Sequence, residues 1–484
     1  MTARTLLMIG STALALTSCT TPLPPEQQFV DDAMRAVGGR AKVEAVKSIV
    51  IEGSGVNYNL GQDMKPEAAT QQFEISGYQR QIDVEQGRQR IEQTRTPKFA
   101  YFQGPQPQTQ VQVLDGDIAF NIGGKGESTR VATALAERDR RTDYFHHPIT
   151  ALKAATAPIT TVTNVRNAGN ARQADFTFRD RTWTMTIDPT GLPLSISTKT
   201  YHANLGDVVV TTAFADYQDT NGVRMPARFT GKVDEFTTYE IRASKQAIDV
   251  PLGSMSAPPE VLKPAPPAAP NVTAESIGKG VWLLAGQSHH SVLVEFSDHL
   301  MLIEAPQSEA RTLAVIKKAR ETVPKKPLNA LVVTHHHFDH TAGLRAAIAE
   351  GLTVITHAGN REWVENMARR PHTLQQDLLA KNVSRLNLTT VDGELEFKDQ
   401  MNTVALYHVA GNPHSDTMLM AYIPASRLLV EVDAFSPGSQ VHPYAANLLE
   451  NIQKRSLRVD KIVPLHGTIA PFAELVKASG AKGN

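Results

Sequence analysis

The chain is almost without cysteine: 484 residues carry one, Cys19. A single thiol cannot close an internal disulfide, so no disulfide framework holds this protein together. Net charge is also missing. Lysine plus arginine and aspartate plus glutamate each number 49, and no basic block breaks the balance. That distribution gives no electrostatic reason to expect nucleic acid as a partner. The apolar stretch Leu6 to Leu16 is too short to span a bilayer as a helix, and no internal repeat marks a solenoid. What is present is ordinary: 41% hydrophobic and 20% charged residues, in a length that suits two or three soluble globular domains.

The first residues read as a leader. Arg4 supplies a positive start, and Leu6 to Leu16 suits the apolar region of a signal peptide. The run ends in Leu16-Thr17-Ser18-Cys19. This resembles the bacterial lipobox, at which the signal is cut and the cysteine acylated. The resemblance implies a lipoprotein signal peptide over 1–19, lipidation at Cys19, and the membrane as a partner through that anchor. Thr20 follows the cysteine. In lipoproteins that resemble this one an Asp there favours inner-membrane retention, so its absence implies the outer membrane, facing the periplasm.

Residues 20–28 form a tether, and 29–253 read as a β-rich N-terminal domain. Phe29, Ala33, Met34 and Val37 stand at helical spacing before Gly38-Gly39, and a short second helix is expected over Ala41 to Val46. From Ser48 the pattern changes to period two, punctuated by turn signals such as Asp115-Gly116, Gly123-Gly124 and Thr220-Asn221-Gly222. The pattern is similar to the half-barrel of periplasmic lipoprotein-carrier domains, in which a curved sheet shelters an apolar ligand. Nothing in this half looks catalytic. Tyr144, His146 and His147 are not spaced like a metal site, and Pro148 favours a loop there. Residues 254–271 are rich in proline and alanine and read as an extended linker. The remainder, 272–484, alternates short apolar runs with amphipathic segments, as a layered α/β domain does.

Chemistry concentrates in Thr334-His335-His336-His337-Phe338-Asp339-His340. It begins where the apolar run Ala330 to Val333 ends. Residues two apart on an extended chain face the same way, so His335 and His337 can grip one metal while His336 points away. After a turn, Asp339 and His340 can reach a second point nearby. Imidazole and carboxylate together suit borderline cations such as zinc.

This run resembles the H-x-H-x-D-H motif of the metallo-β-lactamase superfamily. Further motifs follow in the family's order at strand ends: His414 in Gly411-Asn412-Pro413-His414-Ser415, Asp433 after Leu428 to Val432, and His466 in Pro464-Leu465-His466-Gly467. The similarity covers about Ala274 to Leu475 and implies an αββα sandwich after the β domain. It implies that one metal takes His335, His337 and His414, that a second takes Asp339, His340 and His466, and that Asp433 bridges them. Two zinc ions are expected, with iron or manganese as alternatives. The family's first motif normally carries Asp; here Glu304 stands in its place and would support the site without binding metal.

The chemistry implied is hydrolysis of an ester, lactone, thioester or amide in a small-molecule substrate by a metal-bridging hydroxide, with Asp339 orienting the nucleophile or shuttling a proton. Zinc β-lactamases generally lack the bridging Asp, so Asp433 points to the broader hydrolase branches. The Gly411 to Asp416 segment is nonetheless similar to that of β-lactamases, so that activity stays open. Two further readings are a mononuclear-iron enzyme of the same fold that oxidises thiols or persulfides, and a lipoprotein that binds a lipid or apolar ligand in its β domain. Among other polar residues, Ser288, His289, His290 and Ser291 read as a strand start, with pocket lining as the lesser alternative, Asp416 as a turn cap, Glu431 as support for Asp433, and Trp363 as core, with a place beside the substrate as its lesser alternative.

Overall fold

A computed structural model describes residues 23–101, 103–131, 134–263, 269–438 and 442–480. The leader with Cys19, the first residues of the tether, and Pro264, Pro266 and Pro267 of the linker lie outside them.

The N-terminal half opens with the helices Pro25–Ala36 and Arg40–Ala45. Phe29, Ala33, Met34 and Val37 are buried, so the first helix forms because one stripe has a core to enter. Among the described residues, thirteen strands then form one sheet. Its first strand, Ser48–Tyr58, lies between Gln72–Asp83 and the last strand, Phe236–Ile248, antiparallel to both. The edge strands, Ser128–Arg130 and Thr160–Ala168, are joined through the helices Ala134–Phe145 and Pro148–Ala155.

The sheet curls around those helices. Arg181, near one edge, donates to Asp117 near the other at 2.7 Å. Leu114, Ala119, Phe176 and Trp183 share one core with Phe145, Ile149 and Leu152. The hollow is therefore largely filled by the protein itself, with Phe145 stacked on Trp183 at 5.0 Å. A remaining hollow has a mixed wall, with Arg80, Gln93, Gln110, Gln112 and Asp143 beside Ile75, Ile91, Phe229 and Ile241.

His146 and His147 sit in the turn before the second of these helices, as predicted, but buried. His146 Nδ1 and Nε2 lie 3.0 Å from Thr212 Oγ1 and 3.0 Å from Thr198 Oγ1. The linker also departs from its expected extended form. Pro259–Leu262 makes one helical turn, because Val261 and Met255 have an apolar patch to cover, formed with Val113 and Phe120. Among the described residues, no helix is long and apolar enough to cross a membrane.

The C-terminal half has two sheets. In the first, Thr273–Gly278, Val281–Ala285, Ser291–Glu295 and Leu300–Ile303 run antiparallel in turn, and Leu328–Val332, Thr353–His357 and Asn387–Val391 continue it in parallel. The second runs from Glu394–Lys398 to Ala470–Pro471, with Leu428–Glu431 parallel to Lys461–Pro464. Val292, Ile303, Val332, Leu406, Ala421 and Val430 pack between the sheets. Helices Glu309–Thr322, Leu344–Ala349 and Arg361–Arg369 cover one outer face through Val315, Ile348 and Val364, and Ala445–Lys454 and Phe472–Ala478 cover the other through Leu448 and Leu475. The result is four layers, helix-sheet-sheet-helix. Ala330 to Val333 is unbroken in apolarity because Val332 faces the other sheet and Leu331 and Val333 face helices.

Candidate metal centre

Strand ends bring the predicted residues together. After Leu328–Val332 the chain stays extended through His335 and His337, then enters the short helix Phe338–Thr341, which carries Asp339 and His340. His414 comes from the turn after Thr403–His408, Asp433 follows Leu428–Glu431, and His466 follows Lys461–Pro464. Two groups result, in each of which one donor atom per residue lies within 4.8 Å of the others: His335, His337, His414 and Asp433 in one, and His289, Asp339, His340 and His466 in the other.

Asp433 joins the groups. Its Oδ2 lies 3.0 Å from His340 Nε2, 3.1 Å from His414 Nε2 and 3.4 Å from His335 Nε2, and its Oδ1 lies 3.0 Å from His466 Nε2. Its backbone is left-handed, with φ of 60°, a conformation a non-glycine residue keeps only when its surroundings hold it. Glu431 does the holding: its Oε2 accepts from the backbone N–H of Ala434 at 3.0 Å and of Phe435 at 3.1 Å.

The donor set fits divalent cations. Glu304 accepts from the Thr334 backbone N–H through Oε1 at 2.7 Å and from His340 Nδ1–H through Oε2 at 2.9 Å. With that proton committed, the lone pair of a neutral His340 is at Nε2, facing Asp433. His337 Nε2–H donates to the Asp63 carbonyl at 2.9 Å, so its lone pair is at Nδ1, which is buried and has no hydrogen-bond partner. His335 Nε2 is likewise buried without one. Orphaned imidazole nitrogens ringed around carboxylate oxygens are acceptors facing acceptors, and a cation resolves that conflict.

The electrostatics agree. Burial, with His337 and His340 beside it, pushes His335 down to about 3, and burial brings His466 to about 4. Burial opposes charge on Asp433, but His340 and the other imidazoles outweigh it and hold the carboxyl well below its usual range. Neutral imidazole and ionised carboxylate are the forms that bind metal. His340 is the exception. Burial disfavours its charge, yet Asp339 and Asp433 drive it well above the ordinary value.

His289, expected at a strand start with pocket lining as the lesser alternative, belongs to the second donor group. Its Nε2 lies 3.3 Å from Asp339 Oδ2, its Nδ1 lies 2.8 Å from Ser288 Oγ, and its ring centre is 3.8 Å from that of His466. The only local signal is the pair His289-His290 ahead of a strand. His290 and Ser291 do serve the strand start: the His290 N–H donates to the Leu465 carbonyl, and Ser291 Oγ donates to the Glu304 carbonyl. His336 is turned aside, with Nδ1 3.4 Å from Thr417 Oγ1. Trp363 stands with His336 at a separate hollow away from the metal cleft. Asp416 is exposed; the turn is instead capped by Asn412, whose Oδ1 accepts from the His414 N–H at 2.8 Å.

The N-terminal half, which carries no motif, reaches the site. The loop after Ser48–Tyr58 lies along it. Gln62 Nε2 donates to Asp339 Oδ1 at 2.7 Å. The Phe338 N–H donates to the Gly61 carbonyl at 3.1 Å, and the Asp416 N–H donates to the Met64 carbonyl at 2.6 Å. Above the two donor groups is a cleft of about 200 Å³ whose walls include Asn59, Gln62, Gln71, Phe99 and Tyr101 from this half, and Ser436, His442 and Tyr444 from the other. Tyr444 Oη donates to the Ala100 carbonyl at 2.6 Å and ties the two walls together.

Residues 284–466 match the family model of the metallo-beta-lactamase superfamily; they include every residue of the two donor groups. No curated protein matches the chain. Similar solved structures include the DIM-1 metallo-beta-lactamase, at 18% identity over 44% of this chain and 96% of that one, with a TM-score of 0.35. A metallo-beta-lactamase from Hirschia baltica is 18% identical over 43% and 96%, TM-score 0.35. One from Pontibacter korlensis is 18% identical over 43% and 98%, TM-score 0.33. By its layers and its family-model match, the C-terminal half has the metallo-β-lactamase fold, preceded by a mostly antiparallel β domain.

Proposed function

We propose that this chain is a zinc-dependent hydrolase that cleaves an ester, lactone, thioester or amide bond in a small molecule. The observation that carries the reading is the position of Asp433: one carboxylate within 3.1 Å of His340, His414 and His466, shared by both donor groups. In this reading His335, His337 and His414 hold one cation, Asp339, His340 and His466 hold a second, and Asp433 serves both. When bound, such a cation pair supplies Lewis acidity and an acidified water at neutral pH.

The chain's own residues do the rest. Glu304 and the Asp63 carbonyl fix the protons of His340 and His337 on the atoms facing away from the centre. Burial disfavours charge on Asp339, but His340 and His289 hold its carboxyl well below the usual range, so at neutral pH it is an acceptor and orients the nucleophile. His289 Nε2, 3.3 Å from Asp339 Oδ2, is placed to pass a proton along. Tyr444 and the aromatic residues of the N-terminal half restrict water above the centre. A β domain that walls the cleft supports a part in substrate selection over independent carriage of an apolar ligand.

The extracytoplasmic address is part of the proposal and rests on the Leu16-Thr17-Ser18-Cys19 run: a lipid anchor at Cys19 on the outer membrane, facing the periplasm, and no nucleic acid as partner. Metabolic labelling with palmitate, lost in Cys19→Ala, tests the anchor; labelling that survives the substitution would reject it.

The function is tested by metal analysis of protein lacking residues 1–19, beside His337→Ala. About two zinc ions per chain, reduced in the variant, are expected. Iron near one per chain would move the reading to thiol or persulfide oxidation, and folded protein holding no metal after zinc loading would overturn it.

A further inference from the structure

The cleft above the donor groups has an unusual wall. Among its described lining residues there is no lysine or arginine; the only charged groups are the carboxylates of Asp339 and Asp433 on its floor. The far wall comes from the N-terminal half and is of two kinds. Phe99 and Tyr101 present aromatic rings, and the carboxamides of Asn59 and Gln71 stand beside them.

This wall is held in shape. Phe73 is fully buried and packs edge-on against both rings, with centres 5.1 Å from Phe99 and 5.5 Å from Tyr101; Phe99 and Tyr101 are themselves 5.5 Å apart at 75°. Three rings in mutual edge contact have little freedom. Tyr444 grips the carbonyl between these two half-buried rings, at Ala100. The Asn59 N–H donates to the Gln71 carbonyl at 2.9 Å, pinning the two ends of the loop that carry the carboxamides. Gln62, by contrast, is already committed to Asp339.

A carboxamide both donates and accepts, so it reads hydroxyl, ester and amide groups without asking for charge. An anionic group moved out of water into this wall would find no cationic side chain and would lose solvation without return.

We propose that the cleft selects substrates whose portion remote from the scissile bond is uncharged, with an aromatic or aliphatic part against Phe99 and Tyr101 and a neutral polar group read by Asn59 and Gln71. The selection is made by the N-terminal β domain. This rests on the hydrolase reading, because it takes the scissile group to lie on the metal ligands.

The test uses three non-hydrolysable probes on the zinc-loaded chain, with dissociation constants from calorimetry: acetohydroxamate, phenylacetohydroxamate, and the latter with a para-carboxylate. The uncharged aromatic probe should bind about tenfold more tightly than its carboxylate analogue. Phe99→Ala should weaken the uncharged aromatic probe by about fivefold and leave acetohydroxamate unchanged. Gln71→Lys should narrow the gap between the aromatic pair by about fivefold, through better binding of the carboxylate. Equal or tighter binding of the carboxylate to the unaltered protein would overturn the proposal, as would an unchanged affinity in Phe99→Ala. Failure of the hydrolase reading has a different signature: no zinc is retained and acetohydroxamate itself does not bind, and the selection proposal falls with it.

Discussion

Gln62 and Asp339 stand 277 positions apart, yet the Gln62 side-chain amide donates to Asp339 Oδ1 at 2.7 Å. The bond leaves Asp339 Oδ2 directed at His289 and His340. Removing it without disturbing the strands should therefore loosen Asp339 alone. Gln62→Leu is expected to lower kcat by about tenfold to a hundredfold, the range seen when a partner of a metal ligand is lost. Metal analysis should still find the cation held by His335, His337 and His414. An unchanged kcat would show that Asp339 is positioned by its histidine neighbours.

Gly61 is packed against Phe338: a Cβ built there meets Phe338 Cδ2 at 2.1 Å, and its φ is +80°. Gly61→Ala is thus strained in both backbone and space, at about 1–3 kcal/mol. Moving this loop also moves the Asp63 carbonyl that holds His337 Nε2–H. Thermal denaturation should show a lower Tm, and a chelator competition should show weaker zinc binding. A lower Tm with unaltered zinc affinity would mean that His337 keeps its tautomer without the loop.

Glu304 separates two ways of damaging the centre. Glu304→Ala leaves the Thr334 N–H and His340 Nδ1–H without their acceptor, at a cost in stability of about 1–3 kcal/mol and in metal affinity of about tenfold to a hundredfold. Glu304→Gln keeps an oxygen for Thr334 but turns an NH2 toward His340 Nδ1, which drives the ring proton to the atom facing Asp433. The Gln variant should therefore keep most of its stability and still lose zinc affinity. Full zinc affinity in Glu304→Gln would rule out control of the His340 tautomer.

His146 makes a prediction far from the metals. Burial is the main cause of a pKa lowered from 6.5 to about 4; Asp143 opposes it and Arg80 assists. Above pH 6.5 both folded and unfolded chains carry it neutral. Between 6.5 and 4 the unfolded chain takes up a proton that the folded chain refuses, so stability falls as pH falls, by about 3 kcal/mol at most. Urea midpoints measured from pH 7 to pH 4.5 should decline less steeply in His146→Gln than in the unaltered protein. Parallel curves would place the acid sensitivity elsewhere.

Much of the C-terminal half was legible as sequence, because its information is local. Period-two and continuous apolar runs name strands. The donors His335, His337, Asp339 and His340 lie within six positions, and His414, Asp433 and His466 each follow such a run. A strand end fixes where the next side chain emerges, so order along the chain translates into position around a centre. Glu304 was readable as a support from the resemblance to the family's first motif, and Glu431 from its place two residues before Asp433.

The rest depended on contacts between segments that carry no mutual signal. His289 looks like any polar strand start until the strand Ser291–Glu295 is seated beside Leu300–Ile303 and its preceding turn swings over His466. Gln62, Asp63, Phe99 and Tyr101 lie in loops of a half whose pattern reports only an antiparallel sheet. Their part arises from docking that sheet against the α/β layers, which is decided by Tyr444 on Ala100, Gly61 on Phe338 and Asn204 on Thr341. Local periodicity sufficed for the elements, and the resemblance to the metallo-β-lactamase motifs for the candidate donors. The wall that faces a substrate, and the carbonyl that holds the tautomer of His337, required the tertiary fold, because hydrogen bonds between residues more than two hundred positions apart leave no periodic trace in a single chain.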